Sequence, residues 1–212
     1  MQCEPSAKRA IAFIDGQNLF KAAEEAFDVE YPNFDPTLLS LHICELHGWN
    51  LREVRFYTGS PPIDRDPFWH TFWAKKLAQM GKQGVVVFNR QLRYQKREIR
   101  FGHGGSIEAE IPVEKGIDVR IAIDVIRSAL RDTFDVAVIF SQDQDLSEAV
   151  DEVKLIGTEH DRWIQVASAF PTSPKRQKSA SRGINKTKWI PFDRALYDRC
   201  LDRRDYRPPR KL

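Results

Sequence analysis

The stretch RAIAFIDGQNLF, residues 9–20, runs an apolar segment, Ile11-Ala12-Phe13-Ile14, straight into Asp15, Gly16, Gln17 and Asn18. Four apolar residues bounded by a polar turn have the length of a buried strand. Leu19 and Phe20 then open a segment, 17–27, with helical apolar spacing. The unit is therefore strand, tight turn, helix. A carboxylate and a carboxamide at such a turn can cap the helix. The same oxygen donors can bind a hard cation.

Further along the chain the unit recurs. Strand-like runs lie at 51–58, 84–89 (GVVVFN), 136–141 (VAVIFS) and 163–170, with a last short one, WIPF, at 189–192. Helical spacing covers 36–47, 67–80, 116–131, 144–156 and 193–203, with Asp35-Pro36 as cap and first turn of the first of these. Phe68, Phe72, Trp69, Trp73 and Leu77 repeat at helical period and predict a core-facing helix. VVVF and VAVIF read as strands buried on both faces. Alternating strands and helices predict an α/β fold, a three-layer α/β/α sandwich around a mostly parallel sheet. Residues 90–113 break the rhythm, because RQLRYQKREIRF and SIEAEIPV alternate on either side of GHGG. They predict a β-hairpin arm. Residues 171–188 are rich in Pro, Ser, Gly and basic residues and predict an exposed loop. One domain then spans 8–203, and 204–212 reads as a frayed basic tail.

Composition excludes several classes. The 212 residues hold 42% hydrophobic and 30% charged residues, as in a globular domain. No apolar run approaches the ~20 residues of a membrane helix. The first ten residues lack the pattern of a secretory signal. Cys3, Cys44 and Cys200 are odd in number and far apart, which argues against a disulfide framework or a cysteine zinc site and favours a reducing cytoplasm.

In an open parallel sheet, ligands bind beyond the carboxyl ends of the strands. Asp15 ends the first strand, Asp143 and Asp145 follow VAVIF, and Asp118 stands near the start of the helix after the hairpin. With Asn18, these carboxylates can converge from three parts of the chain and present the oxygen donors that Mg²⁺ or Mn²⁺ takes. Each also has a plain structural reading. Asp15 or Asn18 can cap a helix, Asp145 with Glu148 has capping-box spacing, and Asp118 in a first turn suits the helix dipole. Asp124 lies roughly 9 Å along the helix from Asp118, and its expected task is to orient a Lys or Arg or to cap a neighbouring group. None of the five histidines stands in a recognised motif, and all are read as non-catalytic.

FIDGQN, KGIDVRIAID and SQDQDLSEAV, in this order, resemble the NYN domain, a branch of the PIN-like nucleases, in its LabA-like form. The similarity runs over about residues 9–200 and includes RGINKT. Gln142 stands where the family has glycine and Leu146 where it has an aromatic residue. The resemblance implies a sheet of about five parallel strands and Mg²⁺- or Mn²⁺-dependent cleavage of RNA. It implies Asp15, Asp118, Asp143 and Asp145 as metal ligands, Asn18 as the polar partner of Asp15, and Ser141 as a group that hydrogen-bonds a ligand carboxylate. A non-catalytic RNA-binding protein on the same fold is the alternative. A haloacid-dehalogenase-like phosphatase would need D-x-D at Asp15-Gly16-Gln17, a Toprim-like enzyme would need glutamate at that strand end, and residues 14–19 lack the dinucleotide-binding glycines.

Basic residues supply the expected contact with single-stranded or structured RNA, tRNA included. The hairpin strand carries Arg93, Lys96 and Arg97, with Tyr94 and Phe101 interleaved, and the loop carries Lys175, Arg176, Lys178, Arg182 and Lys186. Such patches hold phosphates by charge and bases by stacking. Replacing Lys175, Arg176 and Lys178 together by Ala is expected to flatten the salt dependence of RNA binding by about 0.7 in log–log slope per lost contact. A salt titration without turnover checks this, and an unchanged slope would make the loop an ordinary solvated surface.

Overall fold

The computed structural model describes residues 2–100, 104–174 and 182–208. Six strands form one sheet: β1 (Lys8–Asp15), β2 (Trp49–Ser60), β3 (Val86–Gln91), β6 (Val136–Phe140), β7 (Gln165–Pro171) and β8 (Lys188–Phe192), in the order β3-β2-β1-β6-β7-β8. Every pairing in it is parallel. WIPF lies within β8, so the sheet has six strands and not the five that the resemblance implied.

Successive residues of a strand face opposite sides, and β1 shows the consequence. Ala10, Ala12 and Ile14 pack into one core with α1 (Gly16–Phe27), α2 (Pro36–Leu46), α3 (Pro67–Lys82) and α6 (Arg194–Arg199). Ile11 and Phe13 pack into a second core with α4 (Ile117–Leu130) and α5 (Ser147–Glu159). The result is the expected three-layer sandwich. The hairpin forms a separate two-stranded antiparallel sheet of β4 (Arg93–Arg100) and β5 (Ser106–Val113).

Three local expectations are corrected. VVVF is not a doubly buried strand: β3 is the sheet edge, and Val86 is 51% exposed while Val85 just before it is buried. Local apolarity does not distinguish an edge strand from a central one. The last helix stops at Arg199 instead of 203. The segment from 204 is not frayed at its start, because Tyr206 is buried against Phe72.

That C-terminal segment is fastened by Lys76. Its side chain is fully buried on the inner face of α3, donates to the Phe34 carbonyl at 3.0 Å, and lies 3.7 Å from Asp202 and 5.0 Å from the Tyr206 ring centroid. Burial pulls its pKa down to about 8, and Asp202 and Asp35 oppose that shift. Removing one member of a buried pair leaves the other uncompensated. Lys76→Ala is therefore expected to cost about 3 kcal/mol of unfolding free energy. Urea unfolding checks this, and a loss below about 1 kcal/mol, the net worth of an ordinary hydrogen bond, would contradict it.

Candidate active site

The chain runs from β1 to β2 and β3 on one side, then crosses to β6 and continues to β7 and β8 on the other. The connections therefore diverge between β1 and β6, where an open sheet has its crevice. Ile14 pairs with Phe140 there. The next residues are Asp15, the last of β1, and Ser141, the first beyond β6.

Asp15 is buried and caps α1, accepting from the Asn18 N–H at 3.0 Å. Asn18 in turn accepts the Gln142 N–H on its Oδ1 at 3.0 Å. It thus ties the start of α1 to the turn after β6, and its oxygen is already engaged. Ser141 is buried, and its Oγ accepts the Asp143 N–H at 3.1 Å. It shapes the turn that carries Asp143. Asp143 accepts the Asp145 N–H at 3.0 Å. Gln142 and Gln144 donate to the carbonyls of Arg182 and Gly183, so both glutamines stitch the turn to the RGIN segment.

A cleft of about 380 Å³ opens over this crevice, lined among others by Asp15, Asn18, Asp143, Lys21, Arg97 and Glu114. Glu114 carries no motif and sequence reasoning missed it. Its signal was an acid four residues before Asp118 at the hairpin's exit. Its Oε2 accepts the Gly59 N–H at 3.0 Å. A Cβ on Gly59 would meet that oxygen at 2.8 Å and Leu92 at 2.5 Å, which explains glycine at the end of β2.

The carboxylates sense one another. Burial, with the charges of Asp143 and Asp118, pushes the Asp15 pKa up to about 6, against backbone donation from Asn18 and Gln17. Burial and the charges of Asp15 and Asp118 push Glu114 to about 7, opposed by the Gly59 N–H and Lys21. Asp15, Asp118, Asp143 and Glu114 are thus one electrostatic group. Asp145 is exposed and does not line the cleft. Asp124 is buried on α4 and accepts from Tyr57 Oη at 3.0 Å and Arg120 Nε at 2.9 Å.

Of the basic residues, Arg97 lines the cleft, and Arg93 shares its hairpin face by alternation. Lys96 is on the opposite face, 3.7 Å from Glu108. Lys186 pairs with Asp151 on α5 at 2.6 Å, and Arg182 donates to Asn185. Lys175, Arg176 and Lys178 lie outside the described residues.

Oxygen donors that repel one another fit a hard divalent cation in chemistry and charge. Among the described residues, however, no three His, Cys, Asp or Glu side chains are gathered into a ready ligand set. Mg²⁺ needs only one or two carboxylates, with water and phosphate completing its shell. Asp15 and Asp143, at adjacent strand ends, are the pair that fits that requirement.

The NYN domain family matches residues 9–183. The chain belongs to that family. Membership of this family suggests a PIN-like nuclease, which fits a cleft of carboxylates rimmed by Lys21 and Arg97. A protein of unknown function from Vibrio parahaemolyticus RIMD 2210633 shares the fold at a TM-score of 0.51 and 17% identity, over 91% of this chain and 97% of that one. MurG of Acinetobacter baumannii aligns at a TM-score of only 0.34 and 9% identity, over 87% of this chain and 45% of that one, and carries no argument. No curated protein matches the sequence. Among the described residues no helix of this NYN chain is long and apolar enough to cross a membrane.

The raised carboxylates give a pH prediction. An acid whose folded pKa exceeds its unfolded value adds stability below the unfolded pKa, near 4. That stability is lost as pH rises through the folded pKa. Metal-free protein is therefore expected to melt at lower temperature as pH goes from 4 to about 7, the window set by Asp15 and Glu114. Asp15→Asn is expected to flatten the trend. Equal pH slopes for wild type and variant would contradict the coupling.

Proposed function

We infer that this NYN protein is a divalent-metal-dependent ribonuclease that hydrolyses RNA phosphodiester bonds internally. The observation that carries this reading is the buried Asp15 carboxylate beside Asp143 at the sheet's switch point, in a cleft rimmed by Lys21 and Arg97.

Asp15 and Asp143 would hold Mg²⁺ or Mn²⁺, each with one oxygen already fixed by a backbone N–H. An ion held there would supply positive charge to the phosphate oxygens and lower the pKa of an attacking water. Asp118 adds negative potential from the first turn of α4 and favours cation over anion in the cleft. Lys21 and Arg97 bind the flanking phosphates and orient the strand. Glu114, with a pKa near 7, has the basicity to take the proton of the attacking water at neutral pH. Asn18 and Ser141 act by fixing the turn that carries Asp143. Asp145 points to no role in the cleft and is read as a helix-entry residue.

Asp15→Asn and Asp143→Asn are each expected to lower Mn²⁺-dependent cleavage of labelled RNA by roughly 10²–10³-fold or more, the scale for loss of an electrostatic group. Glu114→Gln is expected to reduce the rate and to remove the acid limb of the pH–rate profile, while Asp145→Asn stays within a few-fold of wild type. Full activity in Asp15→Asn would contradict the site. RNA binding without any turnover in wild type would favour the non-catalytic alternative.

A further inference from the structure

Beside the carboxylate cleft lies a second, apolar cavity of about 270 Å³, at the small end of ligand-sized sites. It is walled by Trp69 at the start of α3 and Tyr94 on the hairpin, with Phe20 and Trp73 among its other lining residues. Gln17, Lys21 and Pro112 line both cavities, so the two are immediate neighbours. The residues from α1 recur at helical spacing, Gln17, Phe20, Lys21 and Glu24. The aromatic walls come from two separate elements, α3 and the hairpin, each held by its own contacts. Leu92 N–H donates to the Ser60 carbonyl at 2.9 Å. Arg65 lies over the Tyr94 ring at 5.2 Å and pairs with Glu110. Trp69 is seated against Tyr31 and Phe72, at centroid distances of 5.7 and 5.1 Å.

We propose that this cavity takes one nucleobase of the bound strand, the one next to the phosphate in the carboxylate cleft. The proposal rests on the ribonuclease reading for the identity of the strand. Two aromatic walls suit a planar heteroaromatic ring, and stacking is how unpaired bases are held. The polar groups decide what part of a nucleotide enters. Glu24 at the exposed rim and Asp66, one of whose oxygens caps α3 through the Trp69 N–H, line the cavity, Arg65 beside Tyr94 is paired with Glu110, and Lys21 sits at the side shared with the cleft. The carboxylates repel phosphate from the cavity, and Lys21 draws it to the mouth. Carboxylates accept hydrogen bonds and donate none. Adenine, cytosine and guanine offer exocyclic amino groups to them, whereas uracil offers only its ring N3–H. The cavity therefore selects an amino-bearing base over uracil.

The test uses the full chain with Ca²⁺. Ribose 5-phosphate and the 5′-monophosphates of guanosine, adenosine, cytidine and uridine are titrated while the indole N–H signals of the five tryptophans are followed by NMR. Trp69→Phe assigns the Trp69 signal, and Tyr94→Ser removes the wall that least involves the core. The expected result is a shift of the Trp69 signal and binding of the amino-bearing nucleotides at least about fivefold tighter than ribose 5-phosphate, the low end of what one stacked base contributes. Uridine monophosphate is expected to bind more weakly than the other three, and Tyr94→Ser to erase the base dependence. Equal binding of sugar phosphate and nucleotides, or an unmoved Trp69 signal, would overturn the proposal. RNA cleavage with Mn²⁺ is measured on the same preparation. Cleavage without base-dependent binding overturns the cavity and leaves the nuclease reading. Base-dependent binding without cleavage supports the cavity and overturns the nuclease reading.

Discussion

The pairing of β1 with β6 is the constraint on which the site depends. These strands are far apart in sequence, and their parallel register sets Ile14 beside Phe140. The opposite ends of the same strands are clamped by Arg9, which donates to both oxygens of Asp135 and to Asp132. Arg162 adds bonds to the Ala129 and Phe134 carbonyls. With that end fixed and the strands fully buried, the other end is fixed too, and Asp15 and the Ser141–Asp143 turn must emerge together. A buried carboxylate there is costly. The fold tolerates it because backbone N–H groups, Asn18 and the glutamine stitches to Arg182 and Gly183 hold the turn in place.

The hairpin converts this strand edge into a cleft. Its base is anchored beside the end of β2, and it returns through Glu114 and Gly116 into α4. Gly116 stands in the left-handed region with φ +76°, and a Cβ would meet Arg90 at 2.6 Å, so the reversal into α4 requires glycine. Because a strand alternates, one hairpin face carries Arg97 toward the carboxylates while the other carries Tyr94 toward the aromatic cavity. One arm thereby serves two neighbouring environments, one charged and one apolar.

Much of this was legible in the sequence because apolar runs and helical spacing are strong local signals. The sandwich, the hairpin and the strand-end placement of Asp15 and Asp143 follow from them. What was not legible depends on context. VVVF is apolar, yet its strand is the edge. Glu114 has no motif and acquires meaning only when Gly59 and Asp15 come near it. Asp145 looks equivalent to Asp143 in SQDQD, but a 3₁₀ turn places it in solvent. Lys76 was readable in principle, since it falls on the same helical face as Phe72, Trp73 and Met80. A charged residue at such a position signals a buried partner.

In the proposed function, Asp15 and Asp143 at the β1–β6 edge hold a divalent cation. Calorimetric titration of Mn²⁺ into wild type, Asp15→Asn and Asp145→Asn at pH 7.5 tests it most directly, because binding is read without substrate or turnover. Saturable binding is expected in wild type and Asp145→Asn and is expected to be lost in Asp15→Asn. Equal heats in wild type and Asp15→Asn would contradict it.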